Sequence, residues 1–460
     1  MKIDDLQGKL VAVLGFGQEG RAVTQYLLRH GIKPVLFDQR PWQEWPAEDQ
    51  RRIQALGLNF IFGPDAFLEL KGFDVAFRSP GIKISQLTTD NLQLTSQAKW
   101  FFDHCPAKII GVTGTKGKGT TASLIFEILN RQATSYKLPS KTYLTGNIGT
   151  TQPLKILEEL KADDWVIYEL SSFQLQDLRK SPHIGVVLMV TSEHLDYHQN
   201  QEEYLAAKAA ITKFQLESDF AIINADFPNS AAIGKQGQGQ KLYFSTQNPA
   251  NCWVHNGEFS LKANTSAAVE VFIKTQELQL RGEHNWQNVC AAALAAAIAG
   301  ADIKSIHDAV AEFRGLEHRL EFAAEKRGVK FYNDSFSTTP ETAIAAIESF
   351  FEPEIVILGG SSKNSDFTQL GRIIARKANI KALILIGEEA PKINQAIINA
   401  GGTKARLFTG ASSTPEIFEQ VKSVAEAGDV VLLSPACASF DMYENYKDRG
   451  LQFKEQIQTF

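Results

Sequence analysis

Short runs of Val, Ile and Leu recur along the chain and alternate with stretches of helical period. The runs are LVAVLG (10–15), KIIGVTG (108–114), DWVIYEL (164–170), IGVVLMV (184–190), IVILGG (355–360), ALILIG (382–387) and DVVLLSP (429–435). Nearly continuous apolar runs predict strands covered on both faces, and their alternation with helical segments predicts βαβ units on parallel sheets. The Ala-rich segment from Cys290 to Ala301 predicts a buried helix. Asn200-x-x-Glu203 is a capping signal and predicts a helix over 201–213. Gly- and Gln-rich residues 234–240 predict a surface loop. Boundaries are expected near Asp103–Pro106, just before a fresh strand, and near Glu312–Glu317, after the Ala-rich helix. With 460 residues, and about 150 per domain, three segments are expected: 1–105, 106–314 and 315–460.

Composition narrows the class. Apolar residues are 44% and charged residues 22%, which is a globular rather than a disordered balance. Lys and Arg number 47 against 52 Asp and Glu, so nothing electrostatic calls for a nucleic-acid or anionic-membrane partner. No run approaches the roughly 18 apolar residues of a membrane span. The opening MKIDDLQGKLVAV runs into a strand pattern without a leader-like segment. Cys105, Cys252, Cys290 and Cys437 form no CxxC pair, which disfavours a disulfide framework or a cysteine-metal site. A soluble, cytoplasmic, multidomain protein is what remains; a monomer is a separate expectation.

Chemistry enters at Gly114-Thr115-Lys116-Gly117-Lys118-Gly119-Thr120-Thr121, between strand 108–113 and the helical pattern ASLIFEIL. Glycines let backbone N–H groups face an anion, and the helix N-terminus adds partial positive charge. Lys118 would reach the β- and γ-phosphates, with Thr120 or Thr121 on Mg²⁺. The spacing departs from GxxxxGK[ST], because Gly119 directly follows the lysine; a purely structural Gly-rich turn is the plain alternative. A second turn, Gly15-Phe16-Gly17-Gln18-Glu19-Gly20, follows strand 10–14, and Asp38 ends the next strand. Alone, that GxGxxG unit reads as a nicotinamide site; it is equally a βα-packing device, and the ATP-type loop favours another nucleotide.

Two further strand ends carry polar groups. Strand 164–168 runs into Glu169, placed to face a ligand crevice and hold Mg²⁺. Strand 184–190 leads to His194 and Asp196 at the same edge. Lys208 shares the helix face of Tyr204 and Ile211. A lysine there is either a stem with its head in water or a desolvated amine reactive toward CO₂.

Together TGTKGKGTT, YELSSFQL, SEHLDYH, EEYLAAKAAI, GEHNWQN, GLEHRLE, YNDSFSTTP, GGSSKNSDF and LSPACASFDMYENYKDRG resemble the Mur ligase family of ATP-dependent amino-acid ligases, over essentially the whole chain. ELSSFQL with LSPACAS is most similar to its glutamate-adding branch. The resemblance implies an α/β chain of three domains: a Rossmann-like N-terminal domain for a UDP-sugar, a central P-loop ATPase-like parallel-sheet domain, and a Rossmann-like C-terminal domain for glutamate. It implies UDP-N-acetylmuramoyl-L-alanine and glutamate as substrates, joined through an acyl phosphate at the expense of ATP, with Mg²⁺ at two sites. By the same resemblance Gln18, Glu19, Asp38, Gln39, Arg40, Ser79, Pro80, Gly81, Asn147, Ser171 and Gln174 serve the UDP-sugar. Residues 114–121 with Asn285, Asn288, Arg319 and Asp334 serve ATP. Thr120, Glu169, His194 and a carbamylated Lys208 hold metal, and Lys118, His194 and Lys208 are the catalytic set. Thr338, Lys363, Ser439, Phe440 and Tyr446 match the glutamate pocket. Three domains with one ligand each imply closure before chemistry.

One stretch departs from the family pattern. After Asn333-Asp334-Ser335 the family usually has a lysine and then Ala-Thr-Asn, whereas this chain has Phe336-Ser337-Thr338-Thr339-Pro340. A cation near the amino-acid site is gone and Pro340 stiffens the turn; D-glutamate is the family default, and ligation of L-glutamate followed by an epimerase is the alternative. Folylpolyglutamate-type ligation is a further alternative, set against by the separate GxGxxG segment. A nucleotide-binding regulator without catalysis is set against by Lys118, Glu169, His194, Lys208 and Asp334.

Overall fold

The computed structural model describes residues 2–87, 91–148, 151–191, 200–263, 268–280, 282–362 and 365–460. The expected positions His194, Asp196 and Lys363 lie outside the described residues. The chain forms two compact units, one of Met1–Thr275 with Gln287–Val310 and one of Gln276–Trp286 with Ala311–Phe460.

The first unit contains two sheets. β1 (Val11–Leu14), β2 (Val35–Asp38), β3 (Phe60–Phe62), β4 (Val75–Arg78) and β5 (Gln93–Thr95) pair in parallel in the order β3-β2-β1-β4-β5. All four residues of β1 and of β4 are buried, as doubly covered central strands require. The second sheet has β6 (Lys108–Thr113), β7 (Thr142–Gly146), β8 (Trp165–Glu169), β9 (Ile184–Val187), β10 (Phe220–Asn224), β11 (Gln240–Ser245), β12 (Cys252–His255), β13 (Glu258–Leu261) and β14 (Glu270–Lys274). Its order is β14-β13-β12-β11-β10-β9-β6-β8-β7. β6 to β12 run parallel, and β13 and β14 extend the sheet as antiparallel hairpins.

One apolar core joins the two sheets. The helix Gln97–His104 buries Trp100, Phe101 and Phe102, and both phenylalanine rings lie 5.5 Å from the ring of Tyr168 on β8. Val13, Phe77, Tyr168 and Tyr204 belong to the same buried cluster. The C-terminal ends of β1 and β6, where turns must carry ligands in parallel sheets, are therefore set on one packed body.

The second unit holds β15 (Glu321–Lys326), β16 (Val329–Asn333), β17 (Glu354–Gly359), β18 (Ile380–Ile386), β19 (Arg406–Phe408) and β20 (Val430–Leu433), in the order β15-β16-β20-β17-β18-β19. Among these described strands only the β15–β16 pair is antiparallel. Among the described residues no helix is long and apolar enough to cross a membrane.

Two elements differ from expectation. β9 stops at Val187 rather than at residue 190, because the following backbone turns to the phosphate loop: Leu188 N–H donates to Thr113 O and Thr115 N–H to Met189 O. Pro340 opens the helix Pro340–Ile347 at its first turn, with Thr339 as cap, so the Thr-Thr-Pro segment starts a helix.

Candidate active site

β6 lies between β8 and β9, and its register sets Val112 beside Glu169 and Thr113 beside Val187. The phosphate loop leaves that edge and enters the helix Lys118–Ser135 through Gly117, whose φ is +84°. A Cβ at Gly117 would stand 2.2 Å from Asn288 Oδ1, so only glycine allows the loop to lie against Asn288. Thr121 Oγ1 donates to the same Oδ1 at 3.2 Å. Lys118 Nζ donates to the carbonyls of Gly114 and Thr115 at 3.0 and 2.9 Å, folded over its own loop. Thr115 Oγ1 lies 3.0 Å from Tyr204 Oη and accepts from Thr191 N–H, which fixes the loop from below.

Lys208 is 2% exposed, which excludes the reading of a stem with its head in water. Asn200 caps its helix, Gln201–Lys213, through the Glu203 N–H, as the capping signal requires. Lys208 Nζ donates to Gly114 O at 3.1 Å and to Thr113 Oγ1 at 3.3 Å, and sits 4.8 Å from the centre of the Tyr204 ring. An amine is thus buried directly beneath the phosphate loop. Glu169 is buried at the end of β8, and Thr120 is half-buried in the first turn of the loop helix. A carboxylate and a hydroxyl are the hard oxygen donors that Mg²⁺ takes.

The first sheet places its candidates at the ends of β1, β2 and β4. Gly15, at φ +81°, lets Ser79 approach so that Ser79 Oγ donates to Gly15 O at 3.1 Å. Asp38 accepts the N–H groups of Phe16 and Arg40 at 2.7 and 2.9 Å, so its carboxylate organises the turn. Gln39 and Arg40 are exposed, and the Arg40 guanidinium lies 4.7 Å from the Trp45 ring centre. Gln18 is exposed at the start of the helix Gln18–Arg29. Asn147 is exposed beyond β7, its N–H directed to Glu169 O.

Ser171 and Gln174 form a capping box on the short helix Ser172–Leu175. Gln174 Nε2 also donates to Glu19 Oε1 at 2.8 Å, bridging the two sheets. Burial pushes the Glu19 carboxyl up to about 7, against the pull of the Gln174 hydrogen bond. Arg78 and Asp177 form a second bridge between the sheets, buried at 1% and 9% side-chain exposure. Sequence reasoning missed this bridge; the one local signal was an arginine closing an apolar strand.

In the second unit, burial pushes the Asp334 carboxyl up to about 7, although Ser434 Oγ and Leu320 N–H donate to it. The Arg319 guanidinium lies 3.9 Å from the centre of the Phe336 ring, whose other neighbour is Tyr446, edge-on at 5.0 Å. The residue that replaces the usual lysine therefore touches two expected site positions, a guanidinium over its ring and a tyrosine edge-on to it. Ser439 is buried, whereas Phe440 is 73% exposed. Thr338 is half-buried. Arg449, also missed, is 1% exposed and donates to the carbonyls of Ser335, Cys437 and Ala438 and to Ser335 Oγ. It ties the Asn333-Asp334-Ser335 turn to the loop after β20. A cation among the apolar positions of the helix Tyr446–Ile457 was its only trace in the sequence.

Residues 112–296 match the family model of the Mur ligase middle domain, and residues 318–437 that of the Mur ligase glutamate ligase domain. The UDP-N-acetylmuramoylalanine–D-glutamate ligase of Acetivibrio thermocellus is 35% identical, over 99% of this chain and 97% of the relative. The ligase of the same name from Clostridium tetani is 33% identical over the same shares. Among solved structures, UDP-N-acetylmuramate-alanine ligase MurC from Thermotoga maritima superposes with a TM-score of 0.59 at 17% identity, covering 98% of this chain and 99% of that one. MurF from Acinetobacter baumannii gives 0.61 at 18% identity, covering 97% and 90%. These two likenesses concern the fold.

Proposed function

The chain belongs to the Mur ligase family, and on that premise we propose that it joins glutamate to UDP-N-acetylmuramoyl-L-alanine with ATP, as a step of peptidoglycan precursor synthesis in the cytoplasm. The observation that carries this reading is the phosphate loop with a buried amine beneath it: Gly117 at φ +84°, Lys118 on the loop carbonyls and Lys208 bonded to Gly114 O. D-glutamate is the proposed enantiomer, supported by the names of the relatives.

The chemistry follows from the poor leaving ability of a carboxylate oxygen. The alanyl carboxylate attacks the γ-phosphorus of ATP, ADP departs, and an acyl phosphate forms. The glutamate amine then attacks the acyl carbon, losing a proton, and phosphate leaves with the former carboxylate oxygen. Loop N–H groups of 114–121 and Lys118 hold the phosphates and offset the charge that gathers on them. Asn285, Asn288, Arg319 and Asp334 are assigned to ATP. Gln18, Glu19, Asp38, Gln39, Arg40, Ser79, Pro80, Gly81, Asn147, Ser171 and Gln174 are assigned to the UDP-sugar, within residues 1–105 and the facing edge of the central domain. Thr338, Lys363, Ser439, Phe440 and Tyr446 are assigned to glutamate.

Thr120 and Glu169 are the groups that would hold Mg²⁺, together with His194 and Lys208. Bound there, Mg²⁺ supplies neutralisation of the phosphate oxygens. Lys208 takes this part as a carbamate: its neutral amine adds to CO₂ and releases a proton, so that an anionic oxygen ligand replaces a cation. Its burial at 2% exposure supports that reading, since a charged ammonium is costly to bury.

The test is ATP-dependent phosphate release with UDP-N-acetylmuramoyl-L-alanine, comparing D- and L-glutamate and omitting each substrate in turn. Release only in the complete mixture is expected, with D-glutamate preferred. Equal release without the UDP-sugar refutes the reading, and preference for the L-isomer refutes the assigned configuration.

A further inference from the structure

Arg78 closes β4, one residue before the Ser79-Pro80-Gly81 loop, and its guanidinium is used on two sides. Nη2 donates to both carboxylate oxygens of Asp177 at 2.6 Å, a residue 99 positions away in the central domain. Nη1 donates to the carbonyls of Ser79 and Pro80, at 3.4 and 3.1 Å, and to that of Ile82. Asp177 lies just past the helix Ser172–Leu175, whose Gln174 reaches back to Glu19 in the Gly15–Gly20 turn. The gripped loop is in turn seated on that turn through Ser79 Oγ and Gly15 O. The two bridges therefore fasten the ligand edge of the first sheet to the β8 edge that carries Glu169.

We infer that Arg78 is a positioning residue for the UDP-sugar: it shapes the 79–81 loop and fixes that loop to Asp177. This rests on the assignment of Ser79, Pro80 and Gly81 to the substrate, and goes beyond it by naming what holds them. Arg78 is 2% exposed and its charge is matched by Asp177, so it shapes the loop without itself meeting the diphosphate. A substrate anchored by its nucleotide in one sheet must deliver its carboxylate to the phosphate loop of the other. The span between the two edges is then a catalytic dimension, and small misplacements there cost large factors in rate. Only the planar fork of arginine serves a carboxylate and a set of carbonyls together; a lysine ammonium is a single point donor on a flexible stem.

The full-length protein tests this with R78K and with the double variant R78M/D177L, which replaces the ion pair by apolar side chains. Calorimetry with UDP and steady-state KM values for the UDP-sugar and for ATP are the readouts. R78K is expected to weaken UDP and raise KM for the UDP-sugar at least tenfold, with KM for ATP within twofold of wild type. R78M/D177L is expected to recover thermal stability relative to D177L alone, because no buried charge is left unpaired. It should keep the high KM for the UDP-sugar, because no donor reaches the loop carbonyls. A wild-type KM for the UDP-sugar in either variant overturns the inference, as does a parallel rise in KM for ATP. A wild-type protein that binds no UDP overturns the functional reading itself.

Discussion

Replacing Gly117 by Ala is the sharpest perturbation of the phosphate loop, because the structure sets its cost from two sides. At φ +84° an alanine occupies the left-handed region, at roughly 1–2 kcal/mol. Its Cβ would stand 2.2 Å from Asn288 Oδ1, so Asn288 must move and the 3.2 Å bond from Thr121 Oγ1 is lost. Both partners are buried, so that bond is worth about 0.5–1.5 kcal/mol. The sum, about 1.5–3.5 kcal/mol, should appear as a fall of several degrees in Tm. The same shift turns the N–H groups at the helix entrance away from the phosphates, so KM for ATP should rise about tenfold or more while UDP affinity is unchanged. Adding Asn288→Ala removes the atom that the new methyl strikes. The double variant should then lose less stability than the sum of the two single losses. Thermal unfolding and steady-state kinetics on the four proteins decide it. A Gly117→Ala protein with wild-type Tm and wild-type KM for ATP would refute the loop geometry on which the reading stands.

Four further outcomes follow from the same structure. Lys208→Ala should lower turnover about 100-fold, near 2.7 kcal/mol in the barrier, and acetate should partly restore it; absence of rescue, with wild-type rates unchanged in CO₂-free buffer, makes Lys208 structural only. Phe336→Leu removes the ring 3.9 Å from the Arg319 guanidinium and should raise KM for ATP by about twofold to fivefold; Phe336→Lys should change the ratio of catalytic efficiencies for D- and L-glutamate, and an unchanged ratio excludes the 336–340 turn from stereochemical choice. Burial holds the Glu19 carboxyl near 7 in the folded chain against an ordinary value of 4.5, so the folded state keeps a proton that the unfolded state has lost; this group's contribution to stability declines as pH rises from about 4.5 to about 7. Glu19→Gln should flatten that decline, gaining stability over wild type near pH 8 and little near pH 5 in chemical denaturation; parallel curves refute the shift.

The parts of the site legible in the sequence are those written in short windows. The Gly114–Thr121 loop, the strands ending at Thr113 and Glu169, and the helix that buries Lys208 each follow from spacing, apolar runs or a cap within a few residues. The bridges were not legible. Arg78 meets Asp177 across 99 residues and Glu19 meets Gln174 across 155, and no local pattern records which polar side chain a distant segment will present. Arg449 reads as one more surface cation until the carbonyls of Ser335, Cys437 and Ala438 are seen around it. The β12–β14 hairpins went unread for a different reason. Their strands are four or five residues long and partly polar, although Asn256-Gly257, both at positive φ, is a strong hairpin signal. Pro340 suggests a stiff turn from sequence alone, because only its position relative to the cap Thr339 decides between turn and helix start.

The most direct measurement of the proposed chemistry follows an oxygen atom. UDP-N-acetylmuramoyl-L-alanine labelled with ¹⁸O in the alanyl carboxylate is incubated with ATP, Mg²⁺ and D-glutamate, and the released phosphate and the amide product are weighed by mass spectrometry. An acyl phosphate requires that one carboxylate oxygen leave with phosphorus, so the phosphate should carry one ¹⁸O for each amide formed. Phosphate released without label, or amide formed without ADP, would contradict the assignment of the phosphate loop and Lys118 to activation of the carboxylate.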